Sequence, residues 1–465
     1  MKRRDFFSLV SGGLGATAFI SCSKEFLNEP SLVSAARPGG GGGGTVTRYP
    51  LEIPGTVSPN DLTLDCKTAT TNIGPSKLSN VWCYNGDYPA KSIVARKGDM
   101  AMITLQNHLS EHTITHWHGL IVDPHNDGGP MHHIATGETY NYHFEINQRA
   151  GLNWYHPHPH MLTGKQVNLG MAGAFIIRDS EEDALGLPVG EYEIPLIIRD
   201  VTIDKNGNIT YKPTSGGFNG QAPMVNGTLS PYVDVRRTVY RFRILNGANS
   251  RIFGLAMSDG RAMRLIGNDG GLLPTSSDQT RMDISPAERL DVLVDFRGLA
   301  SGTKIYLRDQ RAGWDLLEFR VTGNSDMSYN FPSINQCSIT PLSSPVTTRV
   351  FSFDGMTKIN GLEYSMDRID WQVPFGETER WIFKTNGNAP HPVHIHGASF
   401  QVISRTGGRG RTYPWEAGWK DTVLLEDSET VEVFIRFDGF RGMYLMHCHK
   451  LEHEDLGMMA NFEVI

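Results

Sequence analysis

Residues 444–464 read YLMHCHKLEHEDLGMMANFEV. Three histidines, one cysteine and two methionines, all donors to a soft metal, fall between His447 and Met459. In a β-strand, residues i and i+2 share a face and i+1 points away. His447 and His449 therefore face one way and Cys448 the other. One short stretch would serve two sites on opposite sides of a sheet.

The pattern has an earlier counterpart. WYHPH (154–158) is followed by GMAGAFII (170–177), as YLMHCH (444–449) is followed by GMMANFEV (457–464), with Pro157 where the later copy has Cys448. A second repeat lies upstream of these. MAMITLQN (100–107) leads to HWHG (116–119), YRFRILNG (240–247) to RIFG (251–254), and RWIFKTNG (380–387) to HIHG (394–397). Each is an alternating strand, a turn at Asn and a second strand ending in Gly. The middle copy has Arg251 and Phe253 where the outer copies have histidines. Internal repeats of this kind mark repeated structural units. The expectation is an all-β chain of three homologous β-sandwich domains over 46–185, 186–335 and 345–465. Fifty glycines and 25 prolines in 465 residues suit such turn-rich modules. The stretch 332–345, rich in Ser, Thr and Pro, reads as a linker, and Asn268–Gly271 as ordinary turn chemistry.

The histidines map onto the outer domains. All 17 lie in 108–160 or 391–453, and residues 161–390 hold none. The middle domain therefore reads as a metal-free spacer. In His391–His396, an extended backbone puts His394 and His396 on one face and His391 on the other. The cysteine side then offers Cys448, His391, His453 and Met458. Two imidazoles, a thiolate and a weak thioether form a blue-copper arrangement, suited to moving single electrons. Met459 competes for the axial place, but the ten-residue spacing from Cys448 and the Gly-Met match with Met171 favour Met458. The histidine side offers His394, His396, His447 and His449, and the first domain adds His116, His118, His156 and His158. Eight imidazoles fit three coppers, two held by three rings each and one by two, at a seam between the outer domains. Zinc sites close with four ligands and leave no use for so many donors. His108, His112, His125, His132, His133, His143 and His160 are expected on loops or the surface.

The chain opens MKRRDFFSLVSGGLGATAFISC, three basic residues before a short apolar run, which resembles a twin-arginine export signal. The run is too short and glycine-rich for a transmembrane helix. FISC (19–22) also resembles a lipoprotein cleavage box, so Cys22 is either a lipid attachment point or part of a removed signal. Six glycines (39–44) read as a tether, and residues 1–45 as lying outside the folded body. Cys66 and Cys83 are either a disulfide or two buried thiols, and Cys337 has no evident role. A net charge of −7 with no basic stripe argues against a nucleic-acid partner.

HWHG, HPH, HPVHIHG and HCHKLEHEDLGM, in that order, resemble the multicopper oxidase family, and the likeness spans the body of the chain. It is closest to the bacterial three-domain laccase-like enzymes and copper-efflux oxidases, which GWKDT (418–422) and KQV (165–167) also resemble. The resemblance implies three cupredoxin-like Greek-key domains and four copper ions. His391, Cys448, His453 and Met458 match the type 1 site, which takes electrons from substrate. His116 and His394 match the type 2 ligands, and His118, His156, His158, His396, His447 and His449 the type 3 pair. Asp127 and Glu454 match the acids that supply protons to dioxygen reduction, and Asp421 is a candidate to orient a ligand. The expected partners are dioxygen and a small-molecule or metal-ion electron donor, for an exported monomer in the periplasm or anchored facing it. The axial thioether implies a low-to-moderate potential and easily oxidised donors such as electron-rich phenols.

The residues before His391 include neither the Met nor the Asp that copper-efflux oxidases use to bind cuprous ion. A broad laccase-like activity is thus expected over a dedicated cuprous oxidase for copper tolerance. Three other classes compete: a copper-free division-associated relative, a copper-sequestering protein and a two-domain nitrite reductase. The complete ligand set disfavours the first, and the paired type 3 histidines the last.

Overall fold

The computed structural model describes residues 46–74, 78–329, 331, 337–385 and 389–465. The predicted export segment, Cys22 and the glycine-rich stretch 39–44 lie outside the described residues, as do Gly387 and residues 332–336.

The chain is all-β, built as three cupredoxin-like sandwiches. In the first, a four-stranded sheet (order 78–84, 62–72, 100–107, 139–145) faces a five-stranded one (order 56–57, 92–96, 173–178, 151–157, 115–118). In the last, a sheet ordered 358–359, 347–354, 378–384, 429–436, 400–407 faces one ordered 371–373, 459–464, 442–448, 391–395, 422–425. Eight- and six-stranded sheets make the middle sandwich, and the six-stranded one also takes up Tyr49–Pro50, paired in parallel with Pro231–Tyr232. Each sandwich has its own core, which includes Trp117 in the first, Phe242 in the second and Trp381 in the third. The described part of the linker, 337–345, is neither strand nor helix.

The repeated motifs become neighbouring strands. Thr115–His118 pairs antiparallel with Gly151–Pro157, placing His116 opposite His156. His391–Ile395 pairs antiparallel with Gly442–Cys448, placing His394 opposite His447. Alternation then separates the side chains: Trp117 and Cys448 point into their own cores. In the middle repeat Phe253 is core, and Arg251 pairs with Asp200 at 2.7 Å while stacking on Trp314. Gly397, two residues beyond the strand His391–Ile395, has φ +77°, and a Cβ there would lie 2.7 Å from the Tyr444 ring, so only glycine fits. Gly119 does the same job in the first copy at φ +94°.

Candidate metal centres

The histidine-bearing faces of the outer sandwiches meet at a seam. His116 stacks on His396 with ring centroids 3.9 Å apart, and His118 on His394 at 3.7 Å, each pair drawing one ring from either sandwich. Three all-histidine sets of ligand atoms converge there, each within 4.8 Å: His116, His118 and His394; His118, His156 and His449; and His158, His396 and His447. All eight sequence-predicted histidines take part, and His118 belongs to two sets. The second set is walled by Trp154, stacked on His156 at 4.1 Å.

Most of these rings are anchored through Nδ1. Nδ1 of His116 donates to the Asp127 carbonyl at 2.7 Å, Nδ1 of His394 to that of Asp421 at 2.8 Å, and Nδ1 of His156 to that of Pro157 at 2.8 Å. Their Nε2 atoms are buried with no hydrogen-bond partner among the described residues, as are Nδ1 of His118 and both nitrogens of His449. Burial is the largest cause of a lowered pKa at His116, His118, His156, His158, His394, His396 and His449. Burial thus favours their neutral forms, which offer a lone pair to a metal ion. Buried polar atoms without partners are costly, and convergent neutral imidazoles are the donor set a copper ion takes.

The predicted acids lie against this cluster. Asp127 Oδ2 is 2.7 Å from Nδ1 of His396, and its Oδ1 is 3.6 Å from Nδ1 of His116. Glu454 spans two rings, with Oε1 3.4 Å from Nδ1 of His158 and Oε2 3.2 Å from Nδ1 of His447. Burial pushes the Asp127 carboxyl up, although nearby imidazoles oppose it. Burial also raises Glu454, but His158 and His447 outweigh it and hold the group well below the usual carboxylate range. The two acids are thus biased in opposite senses, Asp127 toward holding a proton and Glu454 toward the anion.

The second centre lies in the core of the third sandwich. Nδ1 of His391 and Nδ1 of His453 are 3.3 Å apart and lie 3.5 and 3.6 Å from Cys448 Sγ. The helix Leu451–Asp455 turns His453 back onto the strand that carries Cys448. Met458 is fully buried in the same core as Cys448, whereas Met459 starts the next strand, opposite His447. Burial pushes the Cys448 thiol up to about 12 and the imidazoles of His391 and His453 down to about 3 and about 2. Without a cation the cysteine would stay protonated, whereas a soft metal ion among these atoms would take it as thiolate.

The seven remaining histidines lie outside these sets. His160, two residues beyond His158, is only partly buried and packs near Tyr364 instead. Cys66 and Cys83 are buried free thiols, so of the two readings the thiols hold. Sequence reasoning missed Arg289 and Asp269. Both are buried in the middle sandwich, and both bond to the segment carrying Asp421. A cavity of about 240 Å³, lined in part by Gly119, Asn153, Asp269 and Trp419, opens on the same side. A small void beside His116 and His394 shares Gly119 and Ile121 with it.

Residues 65–182 and 339–465 each match the multicopper oxidase family. A multicopper oxidase of Staphylococcus haemolyticus is 32% identical over 411 residues, covering 86% of this chain and 88% of its own. A cell division protein, FtsP, of Dickeya dadantii is 31% identical, covering 96% and 98%. The crystal structure of the McoA multicopper oxidase from the hyperthermophile Aquifex aeolicus superimposes with a TM-score of 0.85 at 35% identity, covering 90% of this chain and all of that one.

Proposed function

The chain belongs to the multicopper oxidase family and is a copper-dependent oxidoreductase, and from that premise we propose a laccase-like activity. It couples four one-electron oxidations of phenols, aromatic amines or low-valent metal ions to the reduction of dioxygen to water. One type 1 copper is held by His391, Cys448, His453 and Met458. One type 2 copper is held by His116 and His394. Two type 3 coppers are held by His118, His156 and His449 and by His158, His396 and His447. When bound, copper supplies one-electron redox chemistry at both centres.

The single observation that carries this reading is the position of Cys448. Its Sγ lies with His391 and His453, while its chain neighbours His447 and His449 belong to the histidine sets across the sheet. The cysteine side chain and backbone therefore give a continuous covalent path between the two centres. Asp127, beside His396, relays protons to the reduction half-reaction, and Glu454 orients the rings of His158 and His447. Asp421 orients His118.

The domain limits 46–185, 186–335 and 345–465 belong to the same proposal, as do export through the N-terminal signal, a periplasmic or membrane-anchored location, and action as a monomer. A cell-division relative shows that the fold is also borne by a protein named for another role. The complete donor sets favour turnover here. Steady-state oxidation of a phenol, a ferrous salt and a cuprous complex, each with dioxygen uptake, tests the reading. Uptake with the phenol supports laccase-like activity, uptake with the cuprous complex alone points to copper tolerance, and no uptake with any donor contradicts an oxidase.

A further inference from the structure

The middle sandwich reaches the histidine cluster through one arginine. Arg289 opens the strand Arg289–Asp295, and its side chain is fully buried. Its guanidinium donates from Nη1 to Asp421 Oδ1 at 2.7 Å and from Nη2 to Asp421 Oδ2. The remaining donors go to backbone carbonyls: Nε to Leu152 at 3.0 Å, Nη1 to Ala287 at 2.9 Å and Nη2 to Asp269 at 3.1 Å. All five N–H groups have acceptors, so the planar fork has one orientation.

Asp421 passes that orientation to two rings of the cluster. Its Oδ1 accepts from Nε2 of His118 at 3.1 Å and from Thr422 Oγ1 at 2.9 Å, and its carbonyl accepts from Nδ1 of His394. His118 is thereby turned the opposite way from its anchored neighbours. Its Nε2 faces the protein, and its Nδ1, buried without a partner, faces the metal sets. The middle sandwich also grips the chain around Asp421. Nδ2 of Asn268 donates to the carbonyl of Ala417 at 2.7 Å, the Gly270 N–H to that of Trp419 at 3.0 Å, and Lys420 Nζ pairs with Asp269 at 2.8 Å. Asn268–Gly271 is the expected turn, but its polar atoms act across a domain boundary.

Stability alone is a poor reason to bury such an ion pair, because desolvation largely offsets the Coulomb gain. What the pair supplies is a fixed acceptor for one ring nitrogen. We propose that Arg289, a residue of the histidine-free sandwich, is a positioning residue of the trinuclear centre, fixing Asp421 and through it the Nδ1-inward orientation of His118. This rests on the reading of the cluster as a trinuclear copper centre.

The test uses the copper-loaded full chain carrying Arg289→Lys, which keeps the charge but not the fork, and separately Asp421→Asn. Both variants should keep the blue band of the type 1 site and the KM for a phenol. Copper affinity of the cluster and kcat should fall about 10- to 100-fold, the usual effect of losing a group that orients a metal ligand. Four coppers per chain with wild-type kcat in both variants would overturn the proposal. If the variants do not fold, the wild type prepared without copper still decides it by 15N resonances of the His118 ring. The Nε2–H tautomer is expected, and an Nδ1–H tautomer refutes the role. A wild type that takes up no copper would instead defeat the reading of the cluster and leave the tautomer as the separate measure of Arg289.

Discussion

Glu454 places Oε2 3.2 Å from Nδ1 of His447, across the sheet from the cysteine that follows this histidine in sequence. Its other oxygen reaches His158, so one carboxylate ties together rings from the two outer sandwiches. Glu454→Gln keeps the size but removes the negative charge that faces both rings. Turnover or copper affinity at the cluster should fall about 10- to 100-fold, with the blue band kept. Copper titration and kcat check this, and a variant equal to wild type in both contradicts it.

Asp127→Asn separates proton holding from geometry. The asparagine oxygen can still accept from His396, but the side chain can no longer take up or release a proton. Loss of a positioned acid typically lowers the rate about 100-fold or more, and here copper content should stay at the wild-type level. Pre-steady-state reoxidation by dioxygen should slow, while reduction of the blue site by donor keeps its rate. Slowing of the reduction step instead would place Asp127 elsewhere in the cycle.

Met458→Leu removes the thioether from the buried core beside Cys448. The potential of the blue site should rise, because the weak axial donor favours the oxidised ion. Redox titration followed at the blue band reads this. An unchanged potential would mean that Met458 is not the axial ligand.

Acid stability has a named source in the middle sandwich. Glu193 pairs with Arg243 and Arg178 at 2.5 Å each. Burial raises its carboxyl, but Arg243, Arg178 and Arg241 outweigh burial and bring it from 4.5 to about 2. A carboxyl depressed by folding contributes stability that is fully present above the unfolded value and lost as pH falls through the folded one. The window therefore runs from about pH 4.5 down to about pH 2, and the contribution is on the order of 3 kcal/mol. Glu193→Gln should be less stable than wild type at neutral pH and lose less on acidification through that window. Parallel melting-temperature curves for the two proteins would contradict this.

The donors were legible in the sequence because strand alternation converts spacing into direction. His447, Cys448 and His449 needed only that rule to fall on two faces, and the HIHG and HWHG repeats supplied the facing rings. The acids were legible only through the family resemblance, since a lone Asp in a turn or Glu on a helix carries no signal of its own. Arg289 was not legible at all. It sits in an alternating strand of the histidine-free domain, and its partner Asp421 is 132 residues away. Such a pairing depends on how sandwiches dock, which local periodicity does not encode. The strand Tyr49–Pro50 escaped notice for the same reason, pairing with a sheet formed some 180 residues later.

Cys448→Ser tests most directly whether one residue joins two copper centres. Copper per chain and the visible spectrum should be measured on wild type and variant loaded side by side. The account predicts four coppers and a blue band for wild type, and three coppers, no blue band and no turnover for the variant. A variant that stays blue, or that loses the cluster copper while keeping the fourth, would contradict it.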